Sequence, residues 1–187
     1  MIKLGKKCFC IFGYRGSGKS VLAHYIASQL GSSALIYDTL NECPATARYH
    51  SYTPKNRYSD NELEMMTRLV LHYHKYKLFI IDEANRFCLP KPSPLPQAIA
   101  DLNDWCRHKP YELSVGYIAR RPVQLNQDLT ELADYLFIFK LGGKSDIAYL
   151  NDLVTGLGDA VFDLKPYHFI VLSPDRTFKA YSPVPSR

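Results

Sequence analysis

Residues Gly13-Tyr14-Arg15-Gly16-Ser17-Gly18-Lys19-Ser20 constrain this chain more than any other stretch, because they satisfy the pattern G-x-x-x-x-G-K-[ST] at every fixed position. The flanks agree with the motif. Lys7–Phe12 (KCFCIF) reads as a short buried strand and Ser20–Leu30 (SVLAHYIASQL) as an amphipathic helix. A strand, a glycine-rich turn and a helix start together make a phosphate cradle. Glycines 13, 16 and 18 let backbone N–H groups turn inward, and the helix start adds unpaired donors and the positive end of its dipole. The stretch from Gly13 to Ser20, including Tyr14, Arg15, Gly16, Ser17 and Gly18, is therefore the expected triphosphate-binding segment. Lys19 should reach the β- and γ-phosphates, and the Ser20 hydroxyl should ligate Mg²⁺.

A second stretch, Leu78-Phe79-Ile80-Ile81-Asp82-Glu83, runs four apolar residues into two carboxylates. A continuous apolar run suits a strand buried on both faces. Its C-terminal tip lies in the crevice where open α/β sheets bind ligands. There Asp82 is expected to hold Mg²⁺ through its water shell, and Glu83 to orient and deprotonate the water that attacks the γ-phosphate. A strand ending in a polar turn would look the same in isolation. The position 63 residues after Lys19, with a strand and a helix between, favours the catalytic reading. Leu113–Ala119 (LSVGYIA) is a further strand, ending in Arg120-Arg121-Pro122, a cationic tip facing the same crevice.

The remaining segments fill out an alternating pattern. Ala34–Tyr37 is a strand that stops at Asp38, and Tyr49–Thr53 is a short one. Ser59-Asp60-Asn61-Glu62 has the form of a capping box, and the helix it opens places Leu63, Met66, Val70 and Tyr73 on one face. Phe87–Gln97 holds four of the twelve prolines and is expected to be an extended loop, either a spacer or a carrier of Lys91 towards a partner. Pro96–His108 reads as a helix, where Arg107 near the end is also an ordinary partner for the helix dipole. Tyr135–Lys140 is a strand, followed by the turn Gly142-Gly143-Lys144 and a helix capped by Ser145 that runs to about Leu157. Phe169–Leu172 and Phe178–Tyr181 form a terminal hairpin, and the tail Ser182–Arg187 is expected to fray.

Strands alternating with helices predict an α/β fold in three layers, with a mainly parallel central sheet, helices on both faces and a C-terminal β-hairpin. The extra strand and helix between the phosphate loop and Asp82-Glu83 leave room for a third central strand, carrying a sensor, between them. This is the layout of P-loop NTPases of the additional-strand, catalytic-glutamate type. A chain of 187 residues builds a sizeable core, and residues 1–187 are read as one motor domain. No apolar run approaches the roughly 20 residues needed to span a bilayer. The first seven residues lack the long apolar stretch of a signal peptide, so a cytoplasmic protein is expected. Cys8 and Cys10 should share one strand face as buried, reduced thiols. A net charge of +5 is compatible with a polyanionic partner. The guanine-reading segment Asn-Lys-x-Asp is absent from the sequence, which favours ATP over GTP.

Gly13–Ser20, Ile80-Ile81-Asp82-Glu83-Ala84 and Tyr117-Ile118-Ala119-Arg120-Arg121-Pro122 together resemble the FtsK/HerA superfamily of DNA-pumping ATPases. Leu35-Ile36-Tyr37-Asp38 through Glu42 resembles that family's strand ending in Asp with Glu four residues on, and Leu132–Phe137 resembles its following strand. The absence of a barrel, a membrane segment or a winged helix makes the chain most similar to the genome-packaging ATPases of tailless, membrane-containing icosahedral viruses. The resemblance implies a homo-oligomeric ring, pentamer or hexamer, that hydrolyses ATP with Mg²⁺ and moves double-stranded viral DNA, in host cytoplasm or on the virion, with capsid or vertex proteins as further partners. It implies catalytic roles for Lys19 and Glu83, and an arginine finger, Arg107, offered to the neighbouring subunit. At the sensor position the family commonly has Gln. Here Arg120 stands there, able either to contact the γ-phosphate or to pair with Glu83 at rest. Candidate DNA-gripping segments are the proline loop with Lys91 and the Gly142-Gly143-Lys144 turn. Alternative readings are another FtsK/HerA-type motor for phage assembly, repair or conjugation, a small-molecule P-loop kinase, or a nucleotide-binding switch with slow turnover.

Overall fold

The computed structural model describes residues 4–185. Eight strands form one sheet: β1 (Cys8–Phe12), β2 (Ala34–Tyr37), β3 (His50–Tyr52), β4 (Leu78–Ile81), β5 (Ser114–Ala119), β6 (Tyr135–Phe139), β7 (Phe169–Leu172) and β8 (Phe178–Tyr181). Their order is β3-β2-β4-β5-β1-β6-β7-β8. The six strands from β3 to β6 are parallel, and β7 and β8 add an antiparallel hairpin. The third central strand expected between the phosphate loop and Asp82-Glu83 is β5, which pairs with β1 through Cys8↔Val115 and with β4 through Leu78↔Ser114.

Helices cover both faces, and side-chain alternation along the strands serves two cores. On one face α1 (Lys19–Leu30) sets Leu22, Ala23, Ile26 and Ala27 against Phe9, Ile11, Leu78 and Ile80. On the other, Cys8, Cys10, Phe12, Phe79 and Ile81 meet residues of α2 (Asp60–Tyr73), α3 (Gln97–Trp105), α4 (Gln127–Glu131), α5 (Lys144–Leu153) and α6 (Leu157–Phe162). The continuous apolar runs of β1 and β4 are thus explained by burial on both faces. Cys8 and Cys10 do share a face and are free thiols, with Cys8 Sγ 3.4 Å from Cys106 Sγ. No described helix is long and apolar enough to cross a membrane.

Several local expectations fail for identifiable reasons. Ser59 sits at the N-cap of α2, but its side chain makes no cap bond. The Glu62 carboxylate instead accepts from the N–H groups of Lys55 and Asn56, both at 2.9 Å, and from the Tyr52 hydroxyl at 2.8 Å. It serves the loop before the helix, so no capping box forms. Tyr73 is exposed, and Thr67 and Leu71 join Leu63 and Val70 on the buried face. The helix expected to reach Leu157 stops at Leu153, because the backbone of Val154 is extended; Gly156, with a left-handed φ of 81°, then opens α6. Ser145 does not cap; its hydroxyl accepts from Arg121 Nη2 at 2.8 Å.

The proline-rich loop is not free. The Asn126 side-chain amide donates to the carbonyls of Leu89 and Ser93 at 2.9 and 3.0 Å, and Lys91 Nζ pairs with Asp128 at 2.6 Å. The loop is pinned to the start of α4. Residues 182–185 do not splay away either, since Val184 packs on the α1-side core; the last two residues of the tail lie outside the described residues.

Candidate active site

The crevice predicted at the strand tips exists and is knit by backbone bonds between neighbouring tips. Gly13 N–H donates to the Arg120 carbonyl at 3.3 Å, joining the phosphate loop to β5. Asp82 N–H donates to the Tyr37 carbonyl at 3.0 Å, and Thr39 Oγ1 donates to the Asp82 carbonyl at 2.8 Å, joining β4 to β2. Above these tips lies a cavity of about 910 Å³, whose lining includes Lys19, Ser20, Asp82, Glu83 and Arg120. That volume lies in the range of small-molecule sites.

The phosphate loop has the conformation its glycines permit. Gly16 and Gly18 carry left-handed φ values of 75° and 107°, and Gly18 is the N-cap of α1. Tyr14 and Arg15 are exposed between Gly13 and Gly16. The Tyr14 hydroxyl accepts from Gly142 N–H at 3.1 Å, so the loop is tied to the turn before α5. Arg15 lines the cavity mouth. Lys19 Nζ donates to the Tyr14 carbonyl at 3.0 Å, across the cradle it would serve. Burial holds the Lys19 ammonium below its ordinary value, against the pull of Glu83 and Asp82.

Asp82 is the site's electrostatic anomaly. Burial pushes its carboxyl up to about 7, and the nearby carboxylates of Glu83, Asp38 and Glu42 push the same way. Ser20 Oγ lies beside this group, 3.5 Å from Glu42 Oε2. Asp38 is itself spent on the chain, accepting from the N–H groups of Glu42 and Cys43 at 3.0 and 2.8 Å. Crowded acids around one hydroxyl make a place where a divalent cation relieves repulsion. Among the described residues no cluster of three or more His, Cys, Asp or Glu could hold a metal alone. A magnesium ion held by one or two protein groups, with phosphates and water, needs no such cluster.

Glu83 occupies the left-handed region, φ 51°, at the turn from β4 into the 3₁₀ turn Ala84–Arg86. Its side chain is buried between two arginines. Arg120 Nε lies 3.2 Å from Oε1, and Arg86 Nε lies 3.5 Å from Oε2. Of the two ways Arg120 was expected to act, the pairing with Glu83 is the one present here. Arg121 does not face the crevice with it. Its guanidinium goes to the start of α5, pairing with buried Asp146 at 2.8 Å and with Ser145. The cationic tip is therefore one residue wide.

Arg107 is not near this cavity. It bonds the Leu132 carbonyl at 3.1 Å and pairs with Asp134 at 3.3 Å. Asp134 also accepts from Cys8 N–H at 2.9 Å, at the start of β1. Arg107 thus lies at the opposite end of the sheet from the phosphate loop, about 16 Å away by strand length.

Residues absent from the sequence reading complete the wall. Arg57, Phe139, Tyr167, Pro183 and Val184 all line the cavity. They arrive through long-range packing and carry no local signal. Arg86 did carry one, since it stands three residues after Glu83 in a tight turn.

A family model described as an AAA domain matches residues 2–118. No curated protein matches the chain in sequence. Among solved structures, the genome packaging NTPase B204 of Sulfolobus turreted icosahedral virus 2, in complex with ATP-γ-S, is 22% identical, with a TM-score of 0.81 over 96% of this chain and 98% of that one. B204 of Sulfolobus turreted icosahedral virus, a DNA-packaging ATPase, is 20% identical, with a TM-score of 0.82 over 97% and 100%. The N-terminal domain of zonular occludens toxin from Neisseria meningitidis is 12% identical, with a TM-score of 0.58 over 95% of each chain. At these identities the likeness is one of fold. The matched segment runs from the start of the chain through the phosphate loop and Asp82-Glu83 to the end of β5, so this chain belongs to the AAA domain family and is a P-loop ATPase.

Proposed function

We propose that this ATPase is a motor that moves double-stranded DNA, and that its work is viral genome packaging. The observation that carries the reading is a fold shared over nearly the whole of both chains with the packaging ATPase B204. The site's chemistry supports it. The strand-tip crevice holds a cradle for a triphosphate, an acid beside the cradle and a second acid, Glu83, one residue on.

In this reading Gly13–Ser20 wraps the phosphates, and Lys19 leaves the Tyr14 carbonyl to meet the β- and γ-phosphates. Ser20 and Asp82 would hold Mg²⁺, which supplies charge neutralisation across the phosphate oxygens when bound. Arg120 swings from Glu83 to the γ-phosphate. Glu83 then takes a proton from the attacking water, while Lys19 and Arg120 stabilise the charge on the transferring group. The acid pair fits hydrolysis better than transfer to a small acceptor.

The chain acts as one motor domain in a homo-oligomeric ring. Arg107, exposed at the far end of the sheet, is beyond the reach of its own cavity, which suits a finger given to a neighbour. To act it leaves Asp134. DNA would be gripped through phosphates without base readout. The Gly142-Gly143-Lys144 turn, tied to Tyr14 of the phosphate loop, is better connected to the site for this role than Lys91, which is paired with Asp128. Arg15, exposed at the cavity mouth, faces the adjoining protomer.

The test is ATP turnover with and without linear double-stranded DNA across a salt series. DNA should stimulate turnover, and log affinity should fall against log salt with a slope of about −0.9 per phosphate contact. Turnover indifferent to DNA, or dependent on a small phosphate acceptor, would refute the motor reading and favour the kinase.

A further inference from the structure

We propose that Arg86, held from outside by the aromatic ring of Tyr58, is a positioning residue that keeps the Glu83 carboxylate aimed while Arg120 is away at the nucleotide. This inference rests on the reading of Glu83 as the base.

The two arginines on Glu83 are not equivalent. Arg120 grips Oε1 at 3.2 Å, lines the nucleotide cavity and leaves 46% of its side chain exposed. Arg86 grips Oε2 at 3.5 Å from the same turn as Glu83, and only 22% of its side chain is exposed. The backbone sets this arrangement, since Arg86 N–H donates to the Glu83 carbonyl at 2.9 Å and Glu83 itself is left-handed. Arg86 therefore travels with Glu83, whereas Arg120 is carried on another strand. A triphosphate in the cavity attracts the exposed cation. When Arg120 leaves, Oε1 opens to the cavity for a water, and Oε2 stays tied.

Tyr58 fixes the other side of Arg86. The Arg86 guanidinium carbon lies 5.4 Å from the centre of the Tyr58 ring, within cation–π range. A second guanidinium, that of Arg57, lies 5.1 Å from the same ring centre, and Arg57 also lines the nucleotide cavity. The chain Arg57–Tyr58–Arg86–Glu83–Arg120 begins and ends on the cavity, so a bound triphosphate draws on both of its ends while the middle arginine holds the base.

Steady-state kinetics and binding of a fluorescent ATP analogue test the assignment. Arg86→Ala should lower kcat by about 10- to 100-fold, the effect of losing a hydrogen bond to a charged group, with KM and analogue affinity changed less than twofold. Arg86→Lys should recover part of the loss. Tyr58→Ala should lower kcat about threefold, and Tyr58→Phe, which keeps the ring face, should recover it. In a Glu83→Gln background Arg86→Ala should add nothing. Wild-type kcat in Arg86→Ala, or a loss that adds in full to that of Glu83→Gln, overturns the proposal and leaves Glu83 as base untouched. Normal turnover by Glu83→Gln alone overturns the base reading itself. Should Arg86→Ala not fold, the exposed Tyr58 pair decides: equal kcat for Tyr58→Ala and Tyr58→Phe counts against the clamp.

Discussion

Arg120 Nε stands 3.2 Å from Glu83 Oε1, which joins the tip of β5 to the tip of β4 in the cavity that the phosphate loop also lines. Each oxygen of the Glu83 carboxylate already faces one arginine, Arg120 at Oε1 and Arg86 at Oε2, so the cavity-facing cation competes with water for the base. Arg120→Ala should therefore leave ATP binding within about tenfold of wild type but lower kcat by about 100-fold, as expected for removing one preorganised charge donor. Lys19→Ala should lose binding itself. Equilibrium binding and single-turnover measurements on the same variants separate the two effects. An Arg120→Ala enzyme with normal kcat would mean that the arginine only restrains Glu83.

The raised Asp82 carboxyl predicts a pH signature in nucleotide-free protein kept in chelator. Unfolded, an aspartate titrates near 4; folded, Asp82 titrates at about 7. Between those values the folded state binds the extra proton, so this group's contribution to stability is full below pH 4 and is lost as pH rises through 7. Asp82→Asn should flatten that fall, and its Tm should overtake that of wild type as pH rises from 5 to 8. Parallel Tm curves for the two proteins would contradict the assigned burial effect.

Asp134 and its partner Arg107 are expected to respond differently to substitution. The Asp134 carboxylate is nearly buried and serves Cys8 N–H, Lys7 and Arg107 at once. Asp134→Ala should cost about 1–3 kcal/mol in denaturant unfolding, because it strands a backbone donor. Arg107→Ala removes a part-exposed ion pair and an exposed hydrogen bond to the Leu132 carbonyl, and should cost about 1 kcal/mol. As a finger in trans, however, it should lose about a thousandfold in turnover. Mixing Arg107→Ala with Glu83→Gln protomers should restore part of the activity, since an intact site of one can meet the finger of the other. Absence of rescue in a mixture shown to co-assemble would argue against a finger in trans.

The central fold was legible where local pattern and tertiary demand coincide. Gly13–Ser20 lies between a strand and a helix, Asp82-Glu83 ends a four-residue apolar run, and the hairpin strands Phe169–Leu172 and Phe178–Tyr181 have the bounds their apolar pattern predicts. Features decided by competition between partners were not legible. Glu62 could have capped its own helix and instead took three donors from the preceding loop. Arg120 and Arg121 are adjacent just beyond β5, yet one pairs with Glu83 and the other with Asp146, partners that lie far apart in sequence. Nothing local to Tyr167, Pro183 or Val184 tells that a hairpin at the sheet edge returns them to the cavity. The proline content of Phe87–Gln97 indicated an extended loop, but its anchor lies some thirty residues on, at Asn126 and Asp128.

The claim that ATP hydrolysis at Glu83 drives motion along DNA is tested most directly by displacement of a third strand from a linear duplex. Wild-type protein with ATP and magnesium should displace the third strand, and Glu83→Gln protein that still binds nucleotide should not. Steady ATP hydrolysis by wild type, unaffected by the duplex and without release of the third strand, would contradict it.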